Sequence, residues 1–318
     1  MDRSSAVIAL VRRHGLIVAF LIFIVLVSAN SPTFLTVGNF LDVIRQTSIT
    51  GMIALGVTFV VITGRFDLSV GSMLTLLTVV VVDQHNAVGP GLALLFVLVG
   101  GMVLGAVNGL LIGFIGLNAL IVTLAMLSFL QGLTLLYSGG ANVNIADAQS
   151  WFALFGRGTV YNIPVPVLIF LASAAAASFL LRKTIFGRTV YAVGGNEVAT
   201  RFSGINSRWT IFLAYVLSGL ATAGAAIIMG SRVMGAQNTI GQGYELTVLA
   251  GVVLGGTSLI GGSGSIWRTV LGIIMLGFIQ NGLLLLGYPY YVQWLVTWFV
   301  IIAAVWIDLG AKRGRLFA

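Results

Sequence analysis

Apolar residues run through this chain in long stretches without a strand's alternation. Leu16 to Val27 is apolar at every position, and Leu168 to Leu181 is interrupted only by Ser173 and Ser178. A half-buried strand alternates apolar with polar positions, whereas lipid-buried helices are apolar all round. The gaps between charges make the same point. Between Asp83 and Asp147 lie 63 residues without Asp, Glu, Lys or Arg, and between Arg268 and Asp308 lie another 39. A helix needs about 20 mostly apolar residues to cross about 30 Å of hydrocarbon. Each gap therefore has room for two crossings.

Counted this way, one span falls in each of 14–41, 46–64 and 68–82, and two in 84–146 with a break near Gly116-Leu117-Asn118. Single spans follow in 158–181, 209–231 and 246–267, and two more in 269–307 turning at Gly287-Tyr288-Pro289. The expectation is an all-α, polytopic membrane protein with about ten transmembrane helices, some broken or re-entrant. An even number places both termini on one side. With that side cytoplasmic, 13 of the 16 positive residues lie inside and only Arg45, Arg157 and Arg232 outside, the bias that sets orientation. The positive run before the first span, Arg3, Arg12 and Arg13, resembles a signal peptide, but no convincing small-x-small cleavage site follows. It reads as a retained first helix.

Composition adds exclusions. The 318 residues are 58% hydrophobic and 8% charged, with a mean hydropathy of +1.08. A transmembrane β-barrel would need the alternation that is missing. With no cysteine and only His14 and His85, neither a thiolate nor a histidine metal centre is expected, and no catalytic residue is assigned. The net charge of +8 follows membrane topology rather than nucleic acid. No G-x-x-x-x-G-K-[ST] loop occurs, since Lys183 and Lys312 are the only lysines, so ATP-driven transport would require a separate ATPase chain.

Local features follow. Gly101, Gly105, Gly109 and Gly113 recur every four residues and form one helix face suited to close packing. Gly64, Arg65, Asp67, Ser69 and Gly71 interrupt two apolar runs, as either a plain turn or a broken helix facing protein or water, with Ser69 or Asp67 as helix cap. In the hydrophilic segment of about 182–208, Gly194-Gly195 reads as a break and Asn196 as an N-cap. A short amphipathic helix carrying Glu197, Ala199 and Arg201 follows, ended near Ser203-Gly204, a rigid handle for a cytoplasmic partner or a helix lying on lipid. Polar residues within spans, Asn108, Thr123, Gln280 and Asn281, are candidates for a translocation path or for interhelical hydrogen bonds.

Several motifs together carry a family resemblance: Val61-Ile-Thr-Gly-Arg-Phe-Asp-Leu-Ser-Val-Gly71, Tyr191-Ala-Val-Gly-Gly-Asn-Glu197, Gly243-Tyr-Glu-Leu246, Val253 to Gly264, and Asn281 to Gly287. Across nearly its whole length the chain resembles the permease subunits of bacterial ABC sugar importers, the ribose, xylose and arabinose permease group, with the ribose permeases nearest. The resemblance implies a single permease domain over 1–318 in the bacterial inner membrane, translocating a pentose-like monosaccharide. It implies a second permease subunit, identical or different, and a cytoplasmic ABC ATPase that binds ATP and Mg. It also implies a periplasmic or extracellular sugar-binding protein, with Gly194 to Ile205 as the coupling segment. The family usually has glycine where this chain has Arg65. An ion-driven secondary sugar transporter and a non-energised channel or scaffold are the competing readings; such carriers often place ionisable groups in mid-span, whereas the acids here fall near span edges.

Overall fold

The computed structural model describes Val18 and residues 20–302, Ala148 excepted. Its described residues form an all-α bundle of 13 helices. In chain order they are α1 (Phe20–Asn30), α2 (Val37–Ile62), α3 (Val70–Val88), α4 (Pro90–Gly109), α5 (Ala119–Ser138), α6 (Leu154–Arg157) and α7 (Val165–Lys183). Then come α8 (Ile185–Gly195), α9 (Glu197–Phe202), α10 (Ser207–Val233), α11 (Tyr244–Leu254), α12 (Ile266–Leu285) and α13 (Tyr291–Ile302). A π-helical turn, Leu110–Phe114, prolongs α4.

The expectation of about ten spans is overturned. Among the described residues only six helices are long and apolar enough to cross a bilayer: α2, α4 with its π-turn, α5, α7, α10 and α12. The interval 14–41 holds α1, a break after Asn30, and the start of α2, which begins well before the expected 46. Expected span 68–82 is α3, which runs on through Asp83, Gln84, His85 and Asn86, and these polar residues lower its hydropathy. In place of expected span 246–267 stands α11, 11 residues or about 16 Å at 1.5 Å per residue, which ends at Leu254, and the chain is not helical again until α12 begins at Ile266. Gly256, Gly261 and Gly262 then take positive φ of 78°, 95° and 73° and turn the chain. The last interval divides into α12 and the short α13, with residues beyond Ile302 outside the description. The even-number argument for orientation lapses with the count, and both termini lie outside the described residues.

The break in 84–146 falls where the polar residues place it. Gly116 takes φ +85°, and the Asn118 side chain caps α5 by accepting from the amides of Leu120 (2.9 Å) and Ile121 (3.3 Å).

Helices α2 and α10 are central, with 78% and 61% of their spanning windows buried against 33% for α4, α5 and α7, which face outward. Helix α4 lies along α10 through the glycine stripe. A Cβ at Gly101, Gly109 or Gly113 would sit 2.5–2.8 Å from the carbonyl oxygens of Gly219, Phe212 and Arg208, and one at Gly105 closer still to that of Tyr215. Membrane helices gain no hydrophobic drive from one another, so such backbone approach supplies the packing energy.

The bundle has two distinct ends. At one, strand β1 (Val143–Asn144) pairs antiparallel with β4 (Gly235–Ala236), and β2 (Thr159–Val160) with β3 (Ile163–Pro164). There His85 Nε2 lies 2.7 Å from Ser150 Oγ, and the Gly156 amide donates to Ser231 Oγ at 2.7 Å. At the other end lie the α2–α3 turn, α8, α9 and the glycine-rich loop between α11 and α12.

Gly105→Ala is expected to destabilise the detergent-solubilised protein by about 1–3 kcal/mol, because the new methyl meets a backbone carbonyl that cannot move aside. Gly132→Ala on α5, where a Cβ meets nothing within 4 Å, is expected to be neutral or stabilising. Thermal unfolding of both variants tests the contrast.

Candidate functional site: the junction of the α2–α3 turn with α9

The 182–208 segment folds into the end of α7, α8, α9 and the start of α10. Thr184 caps α8 by accepting from the Gly187 amide at 3.2 Å. Helix α9 is the short helix that Asn196 announces: its side chain accepts from the Ala199 amide at 2.9 Å, Ser203 is the C-cap residue, and Gly204 takes φ +80°. The glycine pair Gly194-Gly195 ends α8, and the break falls directly after it at Asn196. Gly194 is small for another reason: a Cβ there would overlap the carbonyl of Ile62 and sit 2.5 Å from the amide of Gly262. That amide donates to Ile62 O at 2.9 Å, so the last turn of α2, the end of α8 and the glycine-rich loop meet backbone to backbone. Gly261 approaches the Gly64 amide and the Gly194 carbonyl from the same loop. Tyr191 donates its hydroxyl to Gly264 O at 2.9 Å. Burial raises this phenol's pKa above its ordinary value, with Arg268 and Arg182 drawing it back.

Charged groups tie the same junction. Arg65 Nη2 lies 2.7 Å from Glu197 Oε2, and Arg201 Nη2 lies 2.9 Å from Glu197 Oε1. Arg201 Nε donates to Ser207 Oγ at 2.9 Å, and that hydroxyl donates to Glu197 Oε1 at 3.2 Å. The arginine at position 65 thus holds the first residue of α9 across 132 positions of sequence. Beside it opens a cavity of about 510 Å³ lined by Gly64, Arg65, Gly116, Asn118, Glu197 and Arg201.

Deeper in the turn, Asp67 caps no helix. Its Oδ1 accepts from the amide (3.2 Å) and hydroxyl (2.6 Å) of Ser69, and its Oδ2 accepts from Ser218 Oγ on α10 at 2.8 Å. Ser69 occupies the N-cap position of α3 without a capping bond; its hydroxyl instead receives Asn108 Nδ2 at 2.9 Å. Gly71 packs against the Glu245 carboxylate and Gly241. The turn is thereby stitched to α4 and α10, and Tyr215 adds a bond to Phe66 O at 2.6 Å.

The remaining path candidates separate. Asn108 is wholly buried in that network, and Thr123, also buried, donates back to Ala119 O at 2.9 Å. Gln280 and Asn281 line a second cavity, of about 190 Å³, between α2, α11, α12 and α13. Asn281 exchanges two 2.9 Å hydrogen bonds with Asn39, a pairing that nothing in the sequence announced. Residues 39 and 281 are polar positions in separate helices, and only the fold brings them together.

Six helices long and apolar enough to cross a bilayer, with a rigid, polar junction at one end, define a multi-pass membrane protein. Residues 39–305 match the family described as the branched-chain amino acid transport system / permease component. The ribose import permease protein of Escherichia coli K12 is 42% identical over 301 residues, 92% of each chain. That of Bacillus subtilis 168 is 41% identical over 298 residues, 93% of this chain and 92% of its own. The L-arabinose transport system permease protein of Escherichia coli K12 is 37% identical over 306 residues, covering 95% and 92%. No solved structure matches. The chain belongs to this ABC-importer permease family, and the apolar spans and bacterial relatives place it in the inner membrane as a multi-pass protein. Membership implies the usual assembly of permease, ATPase and substrate-binding protein.

The ion pairs are half-exposed, with side-chain exposures of 32% for Arg65 and 26% for Glu197, so their contribution is at most about 1 kcal/mol. Asp67 is 4% exposed and receives three hydrogen bonds. Asp67→Leu strands those donors and is expected to cost about 2–3 kcal/mol. A double-mutant cycle between Arg65→Ala and Glu197→Ala is expected to return about 0.2–1 kcal/mol. Denaturation of the wild type, the two single alanine variants, their double mutant and Asp67→Leu measures both; a larger loss at the ion pair than at Asp67 contradicts this ordering.

Proposed function

We propose that this chain is the translocation subunit of an ATP-driven importer that carries a pentose-like monosaccharide inward, as a single permease domain over 1–318. Two such subunits, identical or paired with a related chain, enclose the pathway. A sugar-binding protein delivers the substrate from outside, and a cytoplasmic ABC ATPase holding ATP and Mg docks on α9. The names of the ribose and arabinose relatives support the sugar class.

One observation carries the coupling role: α9 is exposed where a partner would grip it and fixed where it would transmit force. Val198 and Phe202, one turn apart, are 64% and 89% exposed, while Glu197 and Gly194 fasten the same segment to the end of α2. A push on α9 therefore reaches the α2–α3 turn, and through Asp67 and Asn108 it reaches α10 and α4. Charge placement supports a cytoplasmic location for this end, and the positive residues Arg3, Arg12, Arg13, Lys312, Arg313 and Arg315 support the same side for both termini. Arg65, Arg182, Lys183, Arg188, Arg201, Arg208 and Arg268 belong to elements of this end, whereas Arg157 and Arg232 lie at the other.

The test is uptake of labelled monosaccharides into vesicles carrying the permease, its ATPase and its binding protein. ATP-dependent accumulation is expected, abolished when the ATPase is omitted. Persistence without the ATPase favours an ion-driven carrier, and absence of any uptake favours a scaffold. Glu197→Lys places a like charge against Arg65 and Arg201. It is expected to lower uptake at least about tenfold while ATP hydrolysis continues and insertion is normal, since surface changes rarely unfold a protein. Normal coupled uptake in that variant contradicts the coupling role.

A further inference from the structure

Resting on the transport reading above, we infer that the 190 Å³ cavity between α2, α11, α12 and α13 is a seat for one neutral polyhydroxylated ring, with Gln46, Gln280, Gln242 and Gln293 reading its hydroxyls. The first reason is the state of those amides. Among the described residues no hydrogen-bond partner accompanies the side chain of any of the four, whereas Asn281 beside them is already paired with Asn39. Gln46 is the tenth residue of α2 and Gln280 the fifteenth of α12, both inside helices that qualify as spans. An amide at that depth costs free energy against lipid and persists where it faces protein or a wet cavity. With Gln242 in the turn before α11 and Gln293 on α13, four amides border one hollow and supply donors and acceptors in equal measure, the balance a hydroxyl requires because it both gives and receives.

The second reason is what the lining omits. Among the described residues, no Asp, Glu, Lys or Arg borders the cavity. An amino acid carries a carboxylate and an ammonium, and burying either without a partner is costly. The cavity therefore disfavours the zwitterions suggested by the printed description of the family and favours an uncharged ligand. Trp294 and Tyr244 border it as well, offering aromatic surface to the C–H face of a ring. Its volume equals about six waters at about 30 Å³ each, which suits one ring rather than two.

The seat lies in the half of α2 remote from the Arg65–Glu197 junction, so its chemistry can be altered without touching coupling. The experiment uses the complete transporter in vesicles and the sugar whose uptake the preceding assay establishes, alongside its monodeoxy analogues and leucine. Failure of the wild type to take up any sugar would sink the proposed function itself; the seat is judged by the variants. Gln46→Leu and Gln280→Leu are each expected to lower uptake about tenfold, the scale of one hydrogen bond. ATP hydrolysis stimulated by loaded binding protein should persist in both. With the binding protein unchanged, each variant should also lose the preference for the sugar over one particular deoxy analogue, because the hydroxyl it read is no longer read. Leucine in excess should leave uptake unchanged. Should a leucine variant fail to assemble, Gln46→Asn and Gln280→Asn keep an amide in the span but withdraw it by one methylene, and they carry the same expectation about the analogue. Unchanged uptake with unchanged analogue ratios in assembled variants, or competition by leucine, overturns the seat.

Discussion

Where the end of α2 meets α8 and the glycine-rich loop, three stretches of backbone touch with no side chain between them. The Gly262 amide bonds to Ile62 O, and Gly194 is pressed against the same carbonyl. Backbone contact of this kind leaves little room to slide, because any Cβ introduced at Gly194 would overlap the neighbouring chain. The Arg65–Glu197 pair adds direction rather than much stability, since half-exposed ion pairs are weak. Together they make α9 an extension of the transmembrane bundle. The same economy recurs along α4, whose glycines press onto α10. A chain so poor in charged groups holds its helices through close approach and a few buried hydroxyl, amide and carboxylate bonds.

Much of this was legible in the sequence where the signal is local. The glycine stripe at 101–113, the break near Gly116-Leu117-Asn118 and the Asn196 cap each depend on residues within one or two turns, and each stands where the spacing put it. The number of spans was not legible, because a charge-free interval measures composition and not helix length. Nothing in the apolar run after Tyr244 distinguishes an 11-residue helix with a glycine turn from a full crossing until the positive φ angles are seen. The long polar tail of α3, from Asp83 to Asn86, likewise belongs to the helix rather than ending it.

The candidate site was half legible. Its residues were singled out as two separate motifs, and their union by Arg65 and Glu197 spans 132 positions that no single sequence relates. Gly194 stands at the end of α8 as the break reading expects, and its smallness also serves a neighbouring carbonyl that the sequence does not reveal. Asn39, Gln46, Gln242 and Gln293 escaped notice because an isolated polar residue in an apolar run looks like an interhelical bond wherever it stands. Only the fold distinguishes Asn281, which has such a bond, from Gln280, which has none among the described residues.

The central claim is mechanical: α9 and the end of α2 are one body. The absence of cysteine from the chain permits paired spin labels at Phe202→Cys on α9 and Phe66→Cys in the turn that follows α2, in the assembled transporter. If the junction is rigid, the distance distribution between them is the same in the nucleotide-free and ATP-bound states, while distances from α9 to its counterpart in the second subunit change. A shift between the two labels within one subunit on ATP binding would mean that α9 slides against α2, and the force path from Glu197 to the membrane helices would be wrong.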